Sequence, residues 1–245
     1  MSATLKLAQL NIEGSKHINL VIPFLQAQNP DVVCIQELKE QDIETFEKEL
    51  KMRHILARMH TGAAGVNSIG IFTALPLGNP QAYWYGGQTD TELAEYVHSE
   101  HDRKLSHDSS KFYLLTADIE KEKEIFHVGT THFPVTAHGE ATDYQREDMA
   151  RLLLQLEEEG EFVLAGDFNA PRGGEIFAQL AEKYKDNIPL QITTSIDGSL
   201  HRAGQLPHMV DGIFSTAGYK VMNVQGHTGV SDHWAFTADV VRTRK

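Results

Sequence analysis

In the stretch GVSDHWAF, residues 229–236, a carboxylate and an imidazole, Asp232 and His233, stand side by side ahead of the apolar run Trp234-Ala235-Phe236. Either residue alone is an ordinary turn former. The same few residue types recur where other apolar runs stop. Asn11 and Glu13 close TLKLAQLNI, Gln36 and Glu37 close DVVCIQE, and His132 closes VGTTH. Asp167 and Asn169 close VLAGDFN, and Asp211 lies inside MVDGIF. Apolar strand bodies that each stop at an amide, carboxylate or imidazole are how a sheet edge builds a pocket. The carboxylates and amides are hard oxygen donors without a thiolate, a set that suits Mg²⁺ or Mn²⁺ better than Zn²⁺. His132 and His233, when protonated, are donors to an anion. A divalent cation, imidazolium and amide donors are together the equipment for attack of water on a phosphate ester.

Such residues need rigid elements behind them, and the pattern supplies strands alternating with helices. TLKLAQLNI alternates apolar and polar positions as a half-buried strand does. HINLVIPFLQAQN carries helical spacing and exits at Asn29-Pro30. DVVCIQE is a short continuous apolar run, expected of a strand covered on both faces. QDIETFEKEL reads as an amphipathic surface helix, and SIGIFTALPLG, KFYLLTADIE and EIFHVGTTHF as three more strands. DYQREDMARLLLQLEEEG is the clearest helix, with Met149, Leu152, Leu153 and Leu156 on one side and a Gly stop. EFVLAGDFN is a buried strand and GEIFAQLAEKY a helix; HMVDGIFST, YKVMNVQG and HWAFTADVV finish the chain as strands. Residues 90–110, polar and aperiodic, read as a surface insertion whose His98, His101 and His107 belong to a solvated loop. Tyr83 and Tyr85 fall in AYWYGG, a stretch that could supply the aromatics of an exposed membrane-contacting loop. No repeat or linker divides the chain, so residues 1–245 are expected to form one α/β domain with two packed sheets and helices outside them.

Bulk composition narrows the partners. Lys and Arg total 22 against 34 Asp and Glu, a formal net charge of −12. Coating a duplex requires a basic face to neutralise phosphates, which this chain has little excess base to provide. No apolar run reaches the roughly 18 residues of a membrane helix. The single cysteine, Cys34, forms no internal disulfide and reads as a small buried hydrophobe rather than a reactive thiol. MSATLKLAQLNIEG lacks the basic start and apolar core of a secretory signal, so cytoplasmic residence is expected.

LNIEG, IQE, THF, GDFN, VDGIF and SDHW, in that order from Asn11 to His233, resemble the motifs of the endonuclease/exonuclease/phosphatase superfamily. GDFN and SDH are the most specific of them. The resemblance implies a DNase I-like four-layered α/β sandwich, two packed mixed β-sheets flanked by helices, with Mg²⁺-dependent hydrolysis of phosphoester bonds. It assigns Glu37 as principal metal ligand with Asn11 in support, and Asp232 as a further metal or site carboxylate. Asp167 matches the residue that orients or deprotonates the attacking water, and Asn169 the amide on the phosphate. His132 matches a donor to a phosphate oxygen, His233 the stabiliser of the pentavalent transition state, and Asp211 the acid that holds His233. Neighbours on a regular strand point to opposite faces, so Asp232 is expected to face the metal while Asp211 partners His233. Gln145 and Arg146 resemble a family helix start near the site. Arg146, and Arg172 in the loop PRGGE after GDFNA, are the candidates for substrate contact.

The expected activity is thus a divalent-metal-dependent phosphoesterase, acting on nucleic-acid ends, nucleotides or small phosphoesters rather than on long duplex DNA. Phospholipid or inositol-phosphate hydrolysis is the alternative, as is a scaffold that keeps the fold without catalysis. Inactive relatives lose a ligand or the site histidine, whereas this chain keeps all of them.

Overall fold

A computed structural model describes residues 2–243. Strand β1 (Thr4–Asn11) sets the pattern for the whole molecule. Its period of two puts Leu5, Leu7, Gln9 and Asn11 on one face and Ala8 and Leu10 on the other. Leu5 and Leu7 enter the core between two sheets, whereas Ala8 and Leu10 pack under helices. The inner face therefore runs from apolar to polar along the strand.

Each sheet has six strands. The first is built from β1, β2 (Val32–Lys39), β3 (Arg53–His60), β4 (Asn67–Thr73), β11 (Tyr219–His227) and β12 (Ala235–Arg242), in the order β11-β12-β1-β2-β4-β3. The second contains β5 (Leu77–Gly87), β6 (Lys111–Lys121), β7 (Glu124–His132), β8 (Val163–Asp167), β9 (Lys185–Asp186) and β10 (Asp211–Ser215), in the order β5-β6-β7-β8-β10-β9. Both sheets are mixed, with one parallel pair near the centre: β1 with β2, and β7 with β8. Helices α1 (Ile18–Gln28) and α2 (Ile43–Leu50) cover the outer face of the first sheet through Val21, Leu25 and Phe46. Helices α4 (Asp143–Glu159) and α5 (Glu175–Lys183) cover the second sheet through Met149, Leu152, Phe177 and Leu180. A short helix, α3 (Arg103–Asp108), lies in the insertion. The layers are thus helix, sheet, sheet, helix.

The helix ends follow local chemistry. Asn29 ends α1 at φ 47°, its N–H on the Leu25 carbonyl, a left-handed cap that Asn tolerates better than most residues. Thr142 caps α4 by accepting from the Gln145 N–H, and Gly160 stops it at φ 74°.

Three expectations need correction. SIGIFTALPLG is two strands rather than one, because Pro76 has no N–H to give a ladder and restrains Leu75 before it. AYWYGG is no loop: it belongs to β5, an edge strand that tolerates Pro80 beside a bulge. Tyr85 there is buried with its hydroxyl 2.7 Å from Thr131 Oγ1, while Trp84 faces outward. His98 and His101 are exposed as expected, but His107 is buried. Its Nε2 lies 2.8 Å from Asp148 Oδ2, and its ring stacks on Phe112.

Candidate active site

The inner faces of four central strands turn polar at the same end. Strand β1 runs Leu5, Leu7, Gln9, Asn11; β2 runs Val32, Cys34, Gln36; β7 runs Val128, Thr130, His132; and β8 reaches Asp167. Parallel pairing sets Asn11 beside Gln36 and His132 beside Asp167. Antiparallel β10 begins at this end, so Asp211 pairs with Asp167 in register. Ligand sites in open α/β sheets form beyond the carboxyl ends of such parallel strands. Buried Cys34, its thiol pushed up to about 12 by burial, lies in the apolar part of this face.

A continuous hydrogen-bonded array joins the two sheets. Asn11 Nδ2 donates to Asp167 Oδ2 at 3.0 Å and to Glu37 Oε1 at 3.1 Å. His233 Nδ1 donates to Asp211 Oδ2 at 2.8 Å and lies 3.8 Å from Asp167 Oδ2. His132 Nε2 sits 3.6 Å from Asp167 Oδ2 and 3.9 Å from Glu37 Oε1. Asn169, at φ 47°, turns its backbone N–H onto Asp167 Oδ1 and spends one amide N–H on the Phe133 carbonyl. Among the described residues the second amide N–H has no acceptor. Beneath them Gln9 Nε2 donates to both Gln36 Oε1 and Asp211 Oδ1, and Gln36 donates to Thr130 Oγ1.

Burial and charge set the protonation states. Burial opposes charge on His233, but Asp211 and Asp167 outweigh it and hold the imidazole well above its ordinary pKa. Burial raises Asp167, aided by repulsion from Asp211 and opposed by His233 and His132. Burial also raises Asp232, to about 6, with Glu37 and Glu13 adding to the shift.

Glu37 reaches this cluster by breaking the strand rule. It adopts φ 59° inside β2, at a bulge where the register with β4 slips between Ile35 and Leu38. Consecutive residues Gln36 and Glu37 thereby both reach the end of the inner face. A left-handed glutamate costs about 1–2 kcal/mol, strain of the kind that concentrates at functional sites. Asp232 takes the Ser231 hydroxyl on Oδ1 and comes within 4.8 Å, ligand atom to ligand atom, of Glu13 and His17. The carboxylates of Glu37 and Glu13 both act to raise Asp232, while Glu13 is itself held by Lys16 and His17 and Asn11 Oδ1 accepts the Glu13 N–H; hard oxygen donors of this kind suit a divalent cation such as Mg²⁺. The buried group Asp167, Asp211 and His233 is equally compact, but His233 Nδ1 is already taken by Asp211, so it reads as an acid–imidazole array.

The two arginines expected to contact substrate are both engaged by acidic groups of the chain itself. Arg146 is held by Asp143 and by both oxygens of Glu175, linking α4 to α5 at the surface. Arg172 Nη2 pairs with Asp186 Oδ2 at 2.8 Å, and the guanidinium donates to the carbonyls of Ile188, Pro189 and Ile192. Both terminal nitrogens of Arg172 are thus engaged by the chain's own groups, while its Nε has no partner among the described residues. Sequence reasoning also passed over Gln9 and Thr130. Their signal was available: each is a polar residue at the parity of apolar neighbours that face the core.

Two mixed six-stranded sheets packed face to face, helices outside, and an acid–imidazole–amide array where the central strands end define the DNase I-like α/β sandwich. The chain belongs to the Endonuclease/Exonuclease/phosphatase family, whose model matches residues 8–233. Members of that family are phosphoesterase hydrolases, typically dependent on a divalent metal. No curated protein is similar enough in sequence to match. Among solved structures, an endonuclease/exonuclease/phosphatase from Bacteroides vulgatus is 16% identical, covers 98% of this chain and 100% of its own, and superposes with a TM-score of 0.74. The catalytic domain of human Nocturnin, solved with bound sulfate, is 15% identical over 99% of this chain and 97% of its own, at 0.72. A mannosyl-6-phosphatase from Bacteroides thetaiotaomicron is 12% identical over 97% and 99%, at 0.70. At these identities the likeness is one of fold.

Proposed function

We propose that the protein is a Mg²⁺-dependent phosphoesterase that acts on nucleotides, nucleic-acid ends or other small phosphoesters. The observation that carries this reading is the bridge from Glu37 through Asn11 to Asp167, flanked by His132 and by His233 on Asp211. Glu37 and Asp232, with Asn11 and Glu13 beside them, would hold the cation; when bound it neutralises phosphoryl oxygen and lowers the charge barrier to attack.

The chain's own groups account for the remaining chemistry. Asp167 is raised by burial yet held by two hydrogen bonds, so it can position a water and accept its proton as the oxygen attacks phosphorus. His233, kept charged by Asp211 and Asp167, donates to the phosphoryl oxygens where negative charge grows. His132 approaches the same space from β7 with its Nε2, and the free amide N–H of Asn169 adds a neutral donor. The net charge of −12 supports small or single-stranded substrates over a long duplex.

The test is hydrolysis of a p-nitrophenyl phosphomonoester and a bis-p-nitrophenyl phosphodiester, with Mg²⁺, Mn²⁺ or EDTA, for the protein and for His233→Ala. Metal-dependent cleavage that disappears in the variant is the expected result. Cation binding without turnover of either ester, or of a nucleotide panel, would replace this reading with that of a scaffold.

A further inference from the structure

Two loops meet beside the catalytic array. The loop 197–205 is pinned to it: the Asp197 N–H donates to the Asp232 carbonyl at 2.8 Å, and Ile196 forms a bridge with His233. From this loop Arg202 Nη2 reaches Glu100 of the insertion at 3.2 Å. On the insertion side, the backbone of Thr61 bonds Ala94 and Tyr96, and Tyr96 stacks on His60 with ring centroids 4.4 Å apart. Tyr96, Ser106 and His107 line the same cavity as His132 and Asn169, which ties the insertion to the array. At ≈ 50 Å³ that cavity is too small for a substrate group, so a substrate meets the insertion at its rim.

Arg103 stands on this rim. Helical spacing puts it on the face of α3 that carries Ser106 and His107, both buried. Two hydroxyls at the cavity sense its charge. Burial, with Glu37 in support, raises the Tyr96 phenol, while Ser106, Arg103 and Arg202 oppose the shift. Burial also raises Tyr144, opposed by Thr142 and Arg103; the Tyr144 hydroxyl donates to Val135, which lines the cavity. Arg103 thus lies near both Tyr96 and Tyr144, and Glu37 of the candidate cation site lies near the same Tyr96 hydroxyl.

No acid of the chain claims this guanidinium. Among the described arginines only Arg53 and Arg103 make no hydrogen bond or ion pair, and Arg53 is exposed at the start of β3. Arg103 is half-buried, its Nε shut off from water and without an acceptor. The neighbouring acids are committed: Asp102 accepts the Lys104 N–H, Asp108 holds Lys104 and His107, and Asp148 holds His107 and Arg151. Leaving a buried donor unpaired is costly, and it is the more telling in a chain with 34 acidic residues against 22 basic ones. The planar fork of a guanidinium matches phosphate.

We infer that Arg103, with Arg202 on the opposing loop, forms a second anion subsite beside the catalytic array, so that the preferred substrate carries a further phosphate besides the one that reacts. The inference rests on the phosphoesterase reading and deepens it, with Arg103 as the principal specificity determinant.

The experiment compares adenosine 3′,5′-bisphosphate with adenosine 3′-monophosphate and adenosine 5′-monophosphate. Affinities are measured by titration calorimetry at saturating Mg²⁺ on the full chain carrying His233→Ala, in which turnover stops. The bisphosphate should bind about tenfold or more tightly than the better monophosphate, the worth of a charge-assisted contact. Arg103→Met should bring that ratio to within about twofold, as should Arg103→Gln, a second uncharged variant should the first fail to fold. Arg103→Lys, which keeps the charge but not the fork, should fall between. Arg53→Met should leave the ratio unchanged, although it removes the same net charge. Chelation of Mg²⁺ by the ligand is common to all these proteins and cancels between them. Equal affinities in the parent, no binding of any ligand, a ratio that survives loss of the Arg103 charge, or the same fall in Arg53→Met would overturn the inference. Phosphate release by the chain with His233 intact tests the underlying reading separately: a bisphosphate preference without hydrolysis of any ester fails the enzyme, and hydrolysis without that preference fails the subsite.

Discussion

Asp211 and Asp167 are register partners on antiparallel strands, and the imidazole of His233 spans them, 2.8 Å from Asp211 and 3.8 Å from Asp167. One ring nitrogen is thereby fixed and the other is aimed away from Asp211. Asp211 holds and charges the imidazole without needing to touch substrate.

Replacing Asp211 by Asn should therefore lower kcat by about 10²–10⁴-fold with little change in KM. Because both residues act through one imidazole, the double variant Asp211→Asn, His233→Ala should be no slower than His233→Ala alone. Steady-state kinetics of the three variants decide this. Fully additive losses would mean that Asp211 acts independently of His233.

Glu37 is the carboxylate that the bulge delivers to the array. Glu37→Gln should raise the Mg²⁺ concentration for half-maximal activity by about tenfold or more. It should also weaken the Mg²⁺-induced rise in Tm that follows from binding to the native state alone. A metal titration of activity, paired with melting curves with and without EDTA, checks both. An unchanged metal requirement would remove Glu37 from the cation site.

The two arginines should separate stability from catalysis. Arg172→Ala leaves three carbonyls and the largely buried Asp186 without their donor, and should cost about 1–3 kcal/mol in urea unfolding. Arg146→Ala removes an exposed bridge between α4 and α5 and should leave both Tm and kcat/KM nearly unchanged. Loss of phosphoesterase activity in folded Arg146→Ala would restore the substrate role that its position first suggested.

His60 carries a pH signature. Its folded-state pKa, about 3, lies below the ordinary 6.5 because burial disfavours the charge. Protons therefore bind the unfolded chain first. Stability that His60 permits above pH 6.5 is lost as pH falls toward 3. Between pH 7 and pH 5 this amounts to about 1–2 kcal/mol. Urea midpoints at the two pH values should converge more closely in His60→Gln than in the unaltered protein. Identical convergence in both would place His60 in contact with water.

Much of the fold was legible because strand and helix periods are local. The alternation in β1 and the apolar run of β2 show in a dozen residues each. The edge strands β3 and β5 were not read, since half-exposed strands have weak contrast and β5 is broken by a bulge near Asn79-Pro80. Asp167 and His132 were identifiable as polar residues at strand ends, whereas Asp211, read as lying inside MVDGIF, is the first residue of β10. His107 was not identifiable, because its burial depends on Asp148, 41 residues away on α4.

By itself, the sequence determined which residues could do chemistry and which elements carry them, since residue type and period are properties of neighbours along the chain. Only the tertiary structure decided which of them meet. The bulge that turns Glu37 toward Asn11, the register that sets Asp211 beside Asp167, and the docking of Tyr96 on His60 are contacts between distant segments. So are the bonds that commit Arg146 and Arg172 to their own chain. Each depends on how sheets and loops pack in three dimensions, where a shift of one residue in register would send a side chain to the opposite face.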